Sequence, residues 1–319
     1  MLFPVAGVQL PWPVVPILGF MVGVLGGFWG IGGGWIMTPG LYVLGVPMNF
    51  AVGTSLAYIL GQSVLASLRH RKFGHMDVKV GLGLVGGMVV GTELGARFME
   101  VLKRSGEVDS VVGALYLVFL GTVGVLILRE SWKAEREGKE STLEGFPRSL
   151  RKFGVPPLIP TSEGNISLWP LFGAGVFVGG SVGVLGVGGG FVMLPVLIYL
   201  LGLPTHTAVG TSIFAVALTS TFATFSHSLK GNVDLGMALL LFSGAVVGTQ
   251  LGAFATLRAR GAQIRFGFGA MVCAAFLSMT LKLAGFGEIA PWVLLGTAAF
   301  MSSAALSFLL RPEMRTQGR

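Results

Sequence analysis

The chain has 319 residues, of which 53% are hydrophobic and only 11% are charged. Soluble domains average about 25% charged residues, so this composition excludes an ordinary cytosolic enzyme, a disordered chain and a typical nucleic-acid-binding protein. The net charge of +8 instead indicates Lys and Arg in cytoplasmic loops. Uncharged stretches such as 1–68 and 164–229 exceed the roughly 20 residues that one spanning helix needs. The sequence therefore predicts an all-α integral membrane protein with several crossings.

The start of the chain does not resemble a signal peptide, because no Lys or Arg precedes the apolar run. We therefore expect this segment to be retained, and the protein to lie in the cell (inner) membrane. The single cysteine, Cys273, excludes an internal disulfide. We expect no metal site, no cofactor and no nucleic-acid partner. The bilayer itself is a partner, and a homo-oligomer is possible.

The predicted elements form two matching sets along the chain. The apolar segments of the first half are 12–29, 35–46, 50–68, 79–102 and 108–128, and those of the second half are 168–185, 191–203, 207–228, 235–257 and 266–284. One further apolar segment follows at 289–310. This order predicts a first transmembrane repeat (1–129), a polar cytoplasmic linker (130–166), a second repeat (167–284), and an extra helix with a basic tail (285–319).

The two halves also match residue by residue. Gly23–Pro39 and Gly179–Pro195 share 8 of 17 residues, including the glycines of a G-x-G-G-G run. After a one-residue shift, Ala-Val-Gly-Thr-Ser at 51–55 recurs at 208–212. This much agreement indicates that the halves share an ancestor.

A short apolar stretch follows each glycine run, at 35–46 and 191–203. At about 1.5 Å per residue, such a stretch is too short to cross about 30 Å of hydrocarbon. It is either the second leg of a re-entrant hairpin or half of one broken crossing. Hairpins invert the halves and place 17 Lys and Arg inside against 5 outside, whereas broken crossings give 13 against 9. The stronger positive-inside bias favours two inverted repeats, each a glycine-broken re-entrant hairpin plus three spanning helices, with one extra C-terminal helix.

The glycine runs, which we call the two elbows, are candidate ligand sites. Inverted repeats with interrupted helices are common in secondary transporters. A helix that starts after the glycines exposes unpaired N–H groups and the positive end of its dipole, and glycine allows close approach of an anion. The alternative is that the glycines serve helix packing alone. The candidate residues are Gly30, Gly32, Gly33, Gly34, Gly186, Gly188, Gly189 and Gly190.

Polar side chains in the span after each elbow form a second candidate set. Thr54 and Ser55 in the first half match Thr211 and Ser212 in the second. Their hydroxyls can donate to an anion or to carbonyls of their own helix. Further along the same spans, Gln62 matches Thr219. A glutamine in mid-membrane is costly unless it is paired or lines a path, so both positions are candidate contacts.

Glu93 is the one acidic residue well inside an apolar span. Arg97 lies four residues later on the same helix face, in the favourable order for a local ion pair. The alternative is a carboxylate that carries a coupling proton. The matching residue in the second half is Gln250, which cannot titrate, so such a role would belong to one half only.

These motifs resemble those of the sulfite exporter TauE/SafE family of membrane permeases. The resemblance rests on the duplicated G-x-G-G-G-[FW]-[IV]-M-x-P element, on A-V-G-T-S, and on G-T-x-L-G-A. It implies a secondary transporter of small sulfur-containing anions such as sulfite, sulfoacetate or other organosulfonates, with export as the expected direction. Two alternatives remain open, namely a passive anion channel and a transporter of another small carboxylate or inorganic anion. No catalytic arrangement falls within one span, so we do not expect an enzyme.

Overall fold

The computed structural model describes residues 1–29, 32–72, 76–137, 155–161, 164–197, 201, 203, 205–256, 258–259 and 261–310. In the first half the helices are α1 Val14–Trp29, α2 Gly34–Val43, α3 Met48–Lys72, α4 Val78–Ser105 and α5 Val108–Glu137. In the second half they are α6 Leu168–Leu185, α7 Gly190–Pro195, α8 Thr205–Leu229, α9 Leu235–Thr256 and α10 Gly261–Leu283, followed by α11 Ala290–Ser307. Short strand pairs precede α1 and α6, namely β1 Leu2–Phe3 with β2 Val8–Gln9, and β3 Leu158–Thr161 with β4 Gly164–Ser167.

Eight of the described helices are long and apolar enough to cross a membrane, which confirms the predicted all-α membrane protein. They are α3, α4, α5, α6, α8, α9, α10 and α11, while α1 is apolar but has only 16 residues. Two features lie within the segment predicted as a polar linker. Helix α5 runs on to Glu137, and β3 and β4 form a strand pair in which Ile166 is buried.

An aspartate lies at the start of the fourth helix in each half. The Asp77 carboxylate accepts hydrogen bonds from the first backbone N–H groups of α4, and Asp234 accepts one from Met237 at 3.0 Å at the start of α9. A side-chain oxygen at this position satisfies helix donors that have no partner in the preceding turn. Both helices therefore start at a fixed residue, which sets the register of the glycines that follow.

Glycines with a spacing of four residues join the two halves. Along α1 and α9 they are Gly19, Gly23, Gly27, Gly244, Gly248 and Gly252, and along α6 and α4 they are Gly175, Gly179, Gly183, Gly87, Gly91 and Gly95. At most of them an added Cβ would overlap a backbone carbonyl of the facing helix. In lipid, where no hydrophobic force joins helices, this close approach supplies the packing energy. The first helix of each half thus packs on the fourth helix of the other half.

The contacts also fix the directions of the helices. Gly19 faces Leu241 and Gly27 faces Thr249, so α1 and α9 run parallel. Helices α3 and α8 occupy equivalent positions in the two halves but run antiparallel. Asn49, near the start of α3, bonds to Asn232, just beyond the end of α8, and Ser63 lies 3.4 Å from Ser220 midway along.

Helices α1 and α2 form a hairpin. Gly26, near the end of α1, lies against Gly33 at the start of α2, and Gly40, near the end of α2, lies against Leu18. The chain therefore turns back at the first elbow, and α2 packs antiparallel to α1.

Candidate functional site

Both elbows have backbone conformations that favour glycine. The φ angle is +81° at Gly32, +77° at Gly188 and +74° at Gly189. L-residues with a side chain rarely adopt such angles, so the glycines are what allow each hairpin to turn. The elbows also touch each other, because a Cβ added at Gly34 would lie 2.8 Å from the carbonyl oxygen of Val187.

An aromatic cluster holds the two elbows together. Trp35 follows the first elbow, and its equivalent Phe191 follows the second; the two rings stack with centroids 5.6 Å apart. Phe268 of α10 packs edge-on against Trp35 at 5.1 Å and lies 5.4 Å from Phe191. Such pairs add about 0.5–1.5 kcal/mol each beyond the area they bury, so the elbows are fixed relative to one another.

A cavity of about 420 Å³ lies where the first elbow, α3 and α9 meet. Its volume is within the range of small-molecule sites. Its walls are mostly apolar, and the lining residues include Ile59, Leu65, Ala66, Val187, Ile213, Val216, Phe242, Ala245, Val246, Ala253 and Phe254. Its polar lining comes from glycine backbone together with Gln62, Ser63, Thr249 and Gln250, and in the described part of the chain no charged residue lines it.

Gln62 is the centre of the polar end of the cavity. Its Oε1 accepts the N–H of Gly33 at 3.3 Å, and its Nε2 donates to Oγ1 of Thr249 at 3.0 Å. The hydrogen bond from Gly33 sets the orientation of the Gln62 side-chain amide, because the backbone N–H can donate to Oε1 but not to Nε2. Since the Thr249 oxygen is then an acceptor, its own hydroxyl proton can be donated to a ligand.

The structure places five of the predicted site residues on the cavity wall: Gly32, Gly34, Gly188, Gly190 and Gln62. Gly33 lies just behind it and donates to Gln62. Gly189 lies against Val182 of its own hairpin, and Gly186 lies beside Thr38 and Val52. Gly30 is outside the described residues.

The predicted hydroxyl ligands do not reach the cavity. Oγ1 of Thr54 accepts the N–H of Asp234 at 3.1 Å, and Oγ1 of Thr211 accepts the N–H of Asp77 at 2.9 Å. Each threonine thus bonds to the residue that begins the fourth helix of the other half. The other three hydroxyls also donate to atoms of the protein. Ser55 donates to the carbonyl of Ala51, Ser212 to the carbonyl of Val209, and Thr219 to the sulfur of Met88. All five are buried, and their roles in the described structure are in packing and capping.

Glu93 forms the predicted ion pair with Arg97, at 2.8 Å, and does not line the cavity. Its carboxylate also lies 3.3 Å from Nζ of Lys230, at the end of α8, and accepts a hydrogen bond from Ser226 at 2.7 Å. The sequence did not indicate these two partners, because they lie more than 130 residues further along the chain.

Thr249 and Gln250 are cavity residues that the sequence did not single out as ligands. The available signal was the duplicated Gly-Thr of the G-T-x-L-G-A motif, at 91–92 and 248–249. Only the second copy faces the cavity, because Thr92 of the first copy is fully buried and donates to the carbonyl of Gly179 at 3.2 Å.

The fold and cavity together define a multi-pass membrane protein whose two halves carry matching motifs, with a ligand-sized cavity where the elbows meet. The family described as sulfite exporter TauE/SafE matches residues 15–279, and the chain belongs to that family. It is 28% identical to "Probable membrane transporter protein YunE" of Bacillus subtilis over 75% of this chain and 86% of that protein. It is 26% identical to a "Probable membrane transporter protein" of Methanocaldococcus jannaschii over 75% and 84%, respectively. No solved structure gives a significant match to the chain.

Proposed function

We propose that the protein is a secondary transporter, and not an enzyme, that exports small sulfur-containing anions such as sulfite, sulfoacetate or other organosulfonates. The observation that carries this proposal is the cavity of about 420 Å³ at the meeting point of the two elbows. Family membership and the names of the relatives support transport as the activity.

The proposed membrane arrangement is two inverted repeats with re-entrant hairpins. Support comes from the antiparallel pair α3 and α8, since equivalent helices point in opposite directions when repeats are inverted. It also comes from the parallel pair α1 and α9. Because the chain turns back between α8 and α9, α9 runs in the direction of α3, and so does α1. Helix α2 must then return to the side on which α1 enters. In this arrangement the C-terminal ends of α3 and α9 face the cytoplasm, and the cavity lies towards that side.

The proposed anion site uses backbone and hydroxyl donors in place of positive side chains. Helix α2 begins at the cavity wall, and the start of a helix favours negative charge through its N–H groups and its dipole. The N–H of Gly33 already donates to Gln62, and that of Gly190 donates to the carbonyl of Gly188. The candidate donors on the wall are therefore the N–H groups of Gly32, Gly34 and Gly188, the hydroxyl of Thr249 and the second amide proton of Gln62.

The apolar walls favour an organosulfonate over sulfite itself. Ile213, Val216, Phe242 and Val246 are among the apolar side chains that line the cavity. An inorganic anion gains nothing from these side chains, whereas an alkyl or aryl body gains about 25 cal/mol for each Å² of apolar surface removed from water. The same walls would accept a small organic carboxylate. The contacts to the anionic headgroup therefore decide between organosulfonates and carboxylates.

A passive channel is the second candidate function. A channel needs a continuous path, and the position equivalent to the cavity in the second half is occupied by buried side chains of Val182 and Met88. This observation favours a transporter that opens to one side at a time. Conductance without saturation or counterflow would indicate the channel.

The test is counterflow in proteoliposomes that contain the purified protein. External labelled ethanesulfonate should accumulate when the vesicles are loaded with unlabelled ethanesulfonate, sulfoacetate or sulfite, and less when they are loaded with propionate. Accumulation with propionate alone would replace the sulfur-anion proposal with a carboxylate transporter. Accumulation with none of these anions would contradict the proposed function.

A pair of glycine variants tests the elbow itself. Gly32 and Gly45 have φ angles of +81° and +97°, and an added Cβ at either would meet no atom within 4 Å. Alanine at either position therefore carries a similar strain of about 1–2 kcal/mol, but only Gly32 lines the cavity. We expect Gly32→Ala to lower anion affinity about tenfold or more, and Gly45→Ala to leave it unchanged, with similar losses of thermal stability. Equal affinities would remove the first elbow from the binding site.

A further inference from the structure

The two halves differ at the position of the cavity. Beside the first elbow, Gly26 and Ala245 leave space that forms part of the cavity. The matching residues beside the second elbow are Val182 and Met88, and both are buried. A Cβ added at Gly189 would lie 3.0 Å from the Val182 side chain and 3.3 Å from Cε of Met88. In the second half, larger side chains thus occupy the space that is open in the first half.

A polar cluster lies at the end of the protein beyond these side chains. Glu93 of α4 is bridged to the end of α8 by Lys230 at 3.3 Å and by Ser226 at 2.7 Å, and Lys230 donates to Ser226 at 2.7 Å. The residue that matches Glu93 in the other half is Gln250, which lines the open cavity. Among the described residues, an ion pair therefore joins α4 and α8 beside the closed half.

The ion pair is placed where it can hold α4 against α8. The side chains of Lys230 and Glu93 are only 18% and 28% exposed, so both charges are partly removed from solvent. Glu93 also keeps Arg97 of its own helix as a partner, whereas the pair with Lys230 joins two helices. By contrast, Glu100 of the same helix pairs at 3.7 Å with Arg104, also in α4, and joins no second helix. Breaking the first pair removes a link between two helices, whereas breaking the second removes none.

We propose that Glu93, Lys230 and Ser226 form the gate that closes the substrate path at the end opposite the cavity, with Val182 and Met88 as the plug behind it. This inference rests on the proposed transport function. An anion that leaves through this end meets Lys230 and competes with the Glu93 carboxylate for it. The anion thereby favours the open arrangement, because it interacts with Lys230 only when the pair is broken.

The test measures the accessibility of two matched positions in a Cys273→Ser background. Ala66 lines the cavity, and the matching Ala223 is fully buried. In sealed vesicles a membrane-impermeant thiol reagent should label Ala66→Cys from one side only, and Ala223→Cys slowly from either side. Adding Lys230→Met should raise labelling of Ala223→Cys from the side opposite to Ala66 by about tenfold, equivalent to about 1.4 kcal/mol. Glu100→Gln is the matched control and should leave the rate unchanged.

Charge exchange keeps the proposal testable if Lys230→Met fails to fold. Glu93→Lys alone should open the path to Ala223→Cys, and Glu93→Lys with Lys230→Glu should close it again. Equal labelling rates in the parent, the single variant and the exchanged pair would overturn the gate, as would labelling gained from the cavity side. Labelling requires no anion, so its result is separate from counterflow, and either proposal can fail while the other stands.

Discussion

Replacing Thr249 with valine removes one hydroxyl from the cavity and preserves the shape of the side chain. In the structure this hydroxyl accepts from Gln62 at 3.0 Å, which leaves its own proton for a ligand. A hydrogen bond to a charged partner contributes about 1.5–3 kcal/mol. At about 1.4 kcal/mol per factor of ten, Thr249→Val should weaken anion binding by about 10- to 150-fold.

The matched control is the same substitution at the equivalent position, Thr92→Val. The Thr92 hydroxyl donates to the carbonyl of Gly179 at 3.2 Å, and Thr92 does not line the cavity. Its loss should lower the free energy of unfolding by about 0.5–1.5 kcal/mol without changing affinity. Titration calorimetry with ethanesulfonate and thermal unfolding in detergent measure the two effects. Thr249→Val binding within twofold of the parent, or an equal loss of affinity in Thr92→Val, would refute the proposed role of Thr249.

Two further predictions concern packing and topology. Gly179→Ala should destabilise the protein by about 1–3 kcal/mol, because the added methyl overlaps the Met88 carbonyl, whereas Gly173→Ala on the same helix meets no atom within 4 Å and should be neutral or slightly stabilising. Thermal unfolding that ranks the two variants the other way would contradict the glycine packing. Impermeant labelling of single cysteines should place 130–152 and 311–319 on one face of the membrane and 103–107 on the other. A C-terminus on the face opposite to 130–152 would contradict the inverted arrangement.

Much of the fold was predictable because hydropathy and glycine mark the helix ends directly. The segments 79–102 and 235–257 correspond closely to α4 and α9, whose starts are fixed by Asp77 and Asp234. The strand pair of β3 and β4 was not predicted, since it lies in a segment whose polar composition is typical of a linker, although Ile166 and Ser167 are buried.

The partners of the helices could not be predicted from the sequence. A glycine every four residues, as at 19, 23 and 27, marks a face for close packing but does not identify the opposing helix. The same limit applies to the hydroxyls of the spans that follow the elbows. Thr54 lies early in an apolar span and has the composition of a ligand, but its acceptor role at Asp234 depends on contact between the halves.

The sequence indicated the elbows and Gln62 as candidate contacts, but not Thr249 and Gln250. The duplicated glycines indicated two turns that meet, and five of the predicted residues lie on the cavity wall. The cavity lies beside the first elbow because matching residues differ in size, such as Gly26 and Val182. A search for repeats does not emphasise such differences. The contribution of Thr249 depends on the orientation of the Gln62 amide, which only the three-dimensional contacts define.

The most direct test of the central claim is a crystal structure with 2-bromoethanesulfonate, in which anomalous scattering from bromine locates the organic body of the anion. We expect one strong bromine peak inside the cavity, beside Phe242, with the sulfonate oxygens within hydrogen-bond distance of Thr249 and Gly34. A protein saturated with the anion, with its only bromine peaks outside that cavity, would contradict the account.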